Sequence, residues 1–274
     1  RFVGGSWDEH FCGGTVIRRT KPAAILTAGH CVEQFDGMSS SFGSSWNLYI
    51  DINRDDVSFE NHTEYLEHND SLYDSYRVHS YVYHPQLAYD AFYENTAIND
   101  VALLFIDSTL PRSQRVITLN HELDVLRDGD AVTVIGYGWD SWESQELTAT
   151  LEESTLLFIN DTHCNLGIDK YFREHWSVYN YTLFLNAIGI EYGNMDQYPY
   201  NILQCEECII CAVGEDTDAC SGDSGSPLIL GTNAKEAVQV GLVSYGFECN
   251  VEGVPAQYTD IAYYYDWIQD ELSK

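Results

Sequence analysis

Val101-Ala-Leu-Leu-Phe-Ile106 is an unbroken apolar run of strand length, entered through Asn99-Asp100. A membrane helix needs roughly 18–20 apolar residues, and no run in this chain approaches that. Runs of the same kind recur at Ala23–Thr27, Leu48–Ile52, Ala131–Tyr137, Ser226–Leu230 and Val238–Tyr245, many of them separated by Gly, Pro, Asn or Asp. Short strands spaced by turn residues predict an all-β sandwich or barrel, not alternating β/α units. The final stretch differs. In Asp260–Leu272 the residues Ile261, Tyr264, Tyr265, Ile268 and Leu272 fall at helical spacing and predict a terminal helix.

The chain has 274 residues, enough for one large domain or two small ones. Hydrophobic residues make up 45%, which supports a packed core. Against 43 Asp and Glu stand 13 Lys and Arg, a formal charge of −30. That balance opposes binding to nucleic acid or to an anionic membrane, both of which need basic patches. The sequence opens on Arg1-Phe2 without an initiator Met or an apolar leader, as a processed, mature protein would.

The eight cysteines are Cys12, Cys31, Cys164, Cys205, Cys208, Cys211, Cys220 and Cys249. An even count fits disulfides and an oxidising compartment. Sequons at Asn61, Asn69, Asn160 and Asn180 point the same way, toward a secreted glycoprotein. Cys205-Glu-Glu-Cys208-Ile-Ile-Cys211 has a spacing that can hold metal, but in a secreted chain disulfides are the plainer reading, and no metal site is expected. Residues 53–76 are strongly acidic, and residues 169–204 are aromatic without a clear period; both read as long surface loops.

Three strings carry chemistry. Asp218-Ala-Cys-Ser-Gly-Asp-Ser224-Gly-Ser-Pro227 places a serine between glycines, which lets the backbone turn sharply and aim its N–H groups at a developing oxyanion. Leu26-Thr-Ala-Gly-His30-Cys31 presents a histidine on a small-residue turn beside a cysteine anchor. Asn99-Asp100 places a carboxylate at the mouth of an apolar strand, where an unpaired charge is costly. Singly, His30 could be a core histidine, Asp100 a turn cap and Ser224 a loop serine.

Taken in the order His, Asp, Ser, with these flanks, the chain resembles the chymotrypsin/trypsin family of serine proteases. Phe2-Val-Gly-Gly5, Phe11-Cys-Gly-Gly14, Gly136-Tyr-Gly138, Val243-Ser-Tyr-Gly246 and Asp266-Trp-Ile268 extend the likeness over nearly the whole length. The resemblance implies two packed antiparallel six-stranded β-barrels with a C-terminal α-helix. The first, residues 1–120, would carry His30 and Asp100. The second, residues 121–274, would carry Ser224 and Asp218. The active site would lie in the cleft between them.

It further implies a secreted endopeptidase acting through a Ser224–His30–Asp100 triad and an acyl-enzyme, with Gly222 and Ser224 as the oxyanion hole. Ser244 would support Asp100 and, with Gly246 and Ala256, line the substrate pocket. Asp218 at the pocket base implies protein or peptide substrates cut after Arg or Lys. Ala256 stands where the family has a glycine, which narrows the pocket; Ser226 likewise replaces a glycine, and Gly29 an alanine. Protein inhibitors are further implied partners.

Phe2 matches the residue whose freed amine pairs with Asp223 on activation, so Arg1-Phe2 reads as an uncut activation bond and the chain as a zymogen. The implied disulfides are Cys12–Cys31, Cys164–Cys211 and Cys220–Cys249, leaving Cys205 and Cys208 to pair with each other. No cofactor is required; Ca²⁺ at the acidic 53–76 stretch is the one cation the resemblance raises, against the plainer reading of a solvated face. The rival function is a non-proteolytic homologue kept as a binding or inhibitory module.

Overall fold

The computed structural model describes residues 2–4, 10–33, 35–36, 48–52, 74–89, 97–187, 189, 191, 205–231 and 236–274. Arg1, the sequons at Asn61 and Asn69, and most of the acidic stretch proposed for Ca²⁺ lie outside these residues.

Among the described residues ten short strands make the first unit: β1 (Phe2–Gly4), β2 (His10–Cys12), β3 (Thr15–Arg18), β4 (Ala23–Thr27), β5 (Leu48–Ile52), β6 (Asp74–Arg77), β7 (Ser80–Tyr83), β8 (Ala88–Tyr89), β9 (Ala97–Ile98) and β10 (Ala102–Ile106). Two four-stranded sheets run β2-β1-β5-β6 and β3-β4-β10-β7. They are joined at two corners, because β2 continues into β3 across Gly13-Gly14 and β6 into β7 across Val78-His79. Counting each bent pair as one strand, six strands follow one another around the unit. Its interior is filled by Val16, Ala23, Ile25, Leu48, Ile50, Ala102, Leu104 and Ile106.

The second unit has β11 (Thr118–Leu119), β12 (Ala131–Gly136), β13 (Glu152–Ile159), β14 (Ile209–Val213), β15 (Pro227–Leu230), β16 (Val238–Tyr245) and β17 (Ala256–Asp260). Strands β16-β15-β12-β13-β14-β17 follow one another, and an additional β16–β17 pairing closes the second six-stranded barrel. Val132, Val134, Leu156, Ala212, Leu228, Val240 and Tyr258 pack inside it. The alternation of β12, with Val132 and Val134 buried between exposed or half-buried neighbours, is the period-2 pattern of a strand with one face in a core.

Among the described residues four α-helices complete the fold: α1 (His30–Glu33), α2 (Asp161–His175), α3 (Val178–Ala187) and α4 (Ile261–Ser273). The terminal helix α4 is capped by the Asp260 side chain, which accepts from the Ala262 amide at 2.7 Å. Its buried face, Ile261, Tyr264 and Ile268, packs with Leu26, Val101 and Leu103 of the first barrel and Leu242 of the second. The helix therefore clamps the two barrels together.

The expectation of a long surface loop from residue 169 onward is corrected here. Residues 161–175 and 178–187 are helical. Asn160 caps α2 through its side chain, and Tyr171, Phe172, Tyr181, Phe184 and Leu185 bury a cluster around the Cys164–Cys211 disulfide. Buried Asp169, paired to Arg173 Nε at 2.6 Å, also accepts the Tyr181 hydroxyl and ties the two helices. The aromatic content thus serves an internal satellite core, with helical contacts between α2 and α3 that no single-helix period reveals.

Candidate active site

The base of the site is a left-handed turn. Asn99 has φ of 56°, a conformation that Asn adopts more readily than most residues. Its side chain is held at both ends: Nδ2 donates to the Gln86 carbonyl at 2.9 Å and Oδ1 accepts from the Tyr264 hydroxyl at 3.0 Å. This aims the next residue, Asp100, inward, where it is 1% exposed.

A buried carboxylate needs donors, and Asp100 has them. Oδ1 accepts the His30 backbone N–H at 2.8 Å, and Oδ2 accepts from His30 Nδ1 at 2.8 Å and from the Ser244 hydroxyl at 2.6 Å. Its own carbonyl accepts Thr259 Oγ1 at 2.9 Å, a contact no reading of the sequence had singled out. Burial alone would push the Asp100 carboxyl up, but the His30 charge and the hydrogen bonds from His30 and Ser244 outweigh it and hold the pKa below 3.8. Gly29 matters to the same geometry: a Cβ there would sit 3.2 Å from Asp100 Oδ1 and 3.2 Å from Leu87.

His30 opens α1 with its side chain 27% exposed. The bond from Nδ1 to a carboxylate fixes that nitrogen as the protonated one and leaves Nε2 as the free lone pair. Burial favours the neutral ring, yet the Asp100 charge, its hydrogen bond and the Glu33 charge together raise the pKa above the ordinary 6.5. Nε2 lies 3.8 Å from Cys31 Sγ, and the Ser224 carbonyl lies 3.7 Å from the same sulfur. The Cys12–Cys31 disulfide therefore brings the imidazole and the serine to one spot. The described hydrogen bonds do not include one from Ser224 Oγ to Nε2.

Around Ser224 the backbone is fixed on all sides. Its carbonyl accepts from the Gly13 amide at 2.8 Å, the Gly225 amide donates to Val243 at 2.8 Å, and the Ser226 amide donates to Asp223 at 2.8 Å. Gly225 has φ of 77° and Gly222 has φ of 99°, both in the region that favours glycine. The Ser221 carbonyl accepts from the Trp139 amide at 2.9 Å. In a planar trans peptide the following N–H points the opposite way, so the Gly222 N–H faces away from Trp139. Among the described hydrogen bonds neither the Gly222 nor the Ser224 amide donates to protein. Two such free amides flanking a serine are the parts of an oxyanion hole. His10 Nε2 bonds the Gly222 carbonyl at 2.9 Å and holds that turn; its place just before Phe11-Cys12 was the sequence signal available.

Asp223 is buried. Its Oδ1 accepts the Gly138 amide at 2.7 Å and its Oδ2 the Cys220 amide at 2.9 Å, while burial pushes its pKa up. Gly136 and Gly138 leave room for it: a Cβ on either would come within 1.8 Å or 2.4 Å of the carboxylate. The expected partner, Phe2, is elsewhere. It lies in β1, its backbone opposite both Cys12 and Ile50, because Phe2–Gly4 folds back on His10–Cys12 as a local hairpin. Phe2 and Asp223 are not together in this structure, and Arg1 lies outside the described residues.

Asp218 lies six residues before Ser224. It accepts the Ala219 amide at 2.8 Å and the Asn250 amide at 3.2 Å. Burial pushes its pKa to about 7, against those hydrogen bonds and with help from the Asp223 charge. Tyr258, fully buried, senses both carboxylates and has no partner for its hydroxyl among the described residues. Gly246 faces Ala256 across the pocket wall: a Cβ on Gly246 would lie 4.0 Å from that of Ala256. The Cys220–Cys249 disulfide braces this region, and Cys205–Cys208 forms the remaining pair.

Comparison with known proteins gives one consistent result. A family model described as Trypsin matches residues 2–268. Trypsin delta of Drosophila melanogaster is 24% identical over 266 residues, covering 95% of this chain and 78% of the relative. Coagulation factor XII of Cavia porcellus is 26% identical over 276 residues, 96% of this chain and 37% of that protein. Trypsin alpha of Drosophila melanogaster is 23% identical over 266 residues, covering 95% of this chain and 77% of the relative.

Proposed function

The chain belongs to the trypsin family, and on that premise we propose that it is a secreted serine endopeptidase that cuts peptide bonds after Arg or Lys. The observation that carries this reading is the buried Asp100 carboxylate, which takes the His30 ring, the His30 amide and the Ser244 hydroxyl at 2.6–2.8 Å. A buried acid so arranged does one thing well: it fixes the imidazole tautomer and stabilises its protonated form.

The chemistry then follows the triad scheme shared by this family. Ser224 Oγ turns toward His30 Nε2, and such bonds commonly tighten only once substrate is bound. His30 takes the hydroxyl proton as Oγ attacks the carbonyl carbon. The carbonyl oxygen gains charge and is met by the Gly222 and Ser224 N–H groups; one such donor is worth about 2.7–4 kcal/mol. His30 returns the proton to the leaving amine, and water repeats the sequence on the ester. Asp218 supports the preference for cations. A carboxylate that is costly to ionise alone is compensated by a guanidinium or ammonium. The Ala256 methyl narrows the pocket, a volume change worth about 1–3 kcal/mol between side chains of different size.

The test is a panel of peptide amides differing only at the residue before the cut. Arg and Lys substrates are expected to be hydrolysed at least 100-fold faster than Phe and Leu. A preference for Phe or Leu refutes the pocket assignment, and a folded protein that turns over none of them supports the rival reading, a non-proteolytic binding module.

A further inference from the structure

Beyond the three residues of the site, one carboxylate sits close enough to the histidine to act on it. α1 is a single turn running from His30 to Glu33, so the two side chains are i and i+3 neighbours on one helix face. The Glu33 amide closes that turn on the Gly29 carbonyl at 3.0 Å. Glu33 is half-buried and its Oε2 accepts the Tyr89 hydroxyl at 2.5 Å. Tyr89 comes from β8, whose partner β9 ends at Ile98, two residues before Asp100. The phenol is thereby tied to the loop that carries the buried acid and interacts electrostatically with both Glu33 and Asp100.

We propose that Glu33, held in place by Tyr89, is a positioning residue that stabilises the protonated imidazole of His30 during turnover. The inference rests on the proteolytic reading for its catalytic meaning. Among the described residues, the groups that face this pair are Asp100 at the mouth of β10, Ser244 from β16, the Cys12–Cys31 disulfide, Tyr89 from β8, and Tyr83 from β7, which senses Glu33. Asp36 lies one turn further on and is occupied by the hydroxyls of Tyr81 and Tyr83. Asp100 makes the direct bond and does most of the work. Glu33 adds a second negative charge without a hydrogen bond to the ring, so its effect is through space and screenable. Tyr89 keeps that charge from swinging into solvent.

The sign is fixed by the charge. Removing it lowers the proton affinity of His30, so the acid limb of the kcat/KM profile moves to lower pH. At low salt Glu33→Gln is expected to shift that limb down by about 0.2–0.4 pH unit, the size of an i,i+3 charge interaction, with a fall of about twofold in the plateau. Glu33→Asp retains most of the wild-type profile, and Tyr89→Phe shifts it in the same direction but less. In 1 M NaCl, where the Debye length is about 3 Å, the difference collapses. The His30 imidazole titration, followed by NMR in a Ser224→Ala background, is expected to show the same displacement without any turnover. A His30 titration that superimposes in Glu33→Gln and its parent at low salt overturns the proposal. So does a displacement that survives 1 M NaCl unchanged, which marks a structural effect. A protein that hydrolyses no amide while its His30 titration still moves refutes the proteolytic reading and leaves the Glu33 coupling standing.

Discussion

Replacing Asp218 by Asn should separate function from stability, in opposite directions. The carboxyl, ordinarily at 3.8, is pushed to about 7 by burial, and among the described residues no side-chain cation is paired with it. A folded-state pKa above the unfolded one means the folded protein holds the proton more tightly. The group is therefore neutral in its effect below about pH 4. It opposes folding increasingly as pH rises to 7, and in full above that. Three units correspond to about 4 kcal/mol, and partial exposure reduces this to about 2–4 kcal/mol. Asn keeps the shape and removes the charge; its single carboxamide oxygen can accept one of the two amides, from Ala219 or from Asn250, and the loss of the other offsets part of the gain.

In a Ser224→Ala background, which prevents self-digestion, the Asn variant is expected to melt roughly 3–8 °C higher at pH 8, with the gap closing by pH 4. In the Ser224 background, removing the carboxylate proposed to meet a guanidinium should cost about 3–4 kcal/mol, or 10²–10³ in kcat/KM for Arg substrates, with little change for Phe. The wild type should lose its Arg preference as pH falls below 7, because the empty pocket then holds a neutral acid. Thermal melts at pH 4, 6 and 8 and the substrate panel read both effects. An Asn variant that is less stable at pH 8, or that keeps its Arg preference, refutes the reasoning.

Two further changes probe the scaffold of the site. Ser244→Ala removes the 2.6 Å bond to Asp100; a hydrogen bond to a charged group is worth about 1.5–3 kcal/mol, so kcat should fall about 10-fold or more while circular dichroism stays unchanged. Gly225→Ala places a Cβ 2.2 Å from Thr27 Oγ1 on a residue with φ of 77°, next to the nucleophile; a loss of about 1–3 kcal/mol in stability and of reactive serine is expected, read by melting and active-site titration.

Much of this architecture is legible in the chain itself. The runs at 23–27, 48–52, 131–137 and 238–245 became strands because each supplies one buried face to a core, a local signal with a global consequence. The helical spacing of Ile261, Tyr264, Tyr265, Ile268 and Leu272 announced the terminal helix, which Asp260 caps. Three features were not legible. The helices at 161–175 and 178–187 hide because their aromatic residues face each other across two helices and the exposed side of α3, Asn180, Leu183 and Asn186, is mixed and sets no clear period. The placement of Phe2-Val-Gly-Gly5 was another, because four residues of motif say nothing of whether the backbone pairs with His10–Cys12 and Leu48–Ile50. The supports contributed by Thr259, His10 and Trp139 arrive from other strands and loops, and only the folded barrels bring them to Asp100 and Gly222.

A fluorophosphonate reagent, followed by peptide mapping, puts the convergence of Ser224, His30 and Asp100 to its most direct trial. One equivalent is expected to attach at Ser224, with attachment lost in His30→Ala and amide hydrolysis lost in Ser224→Ala. Absence of modification at Ser224 in a folded, amide-hydrolysing protein, or undiminished hydrolysis by Ser224→Ala, would contradict it.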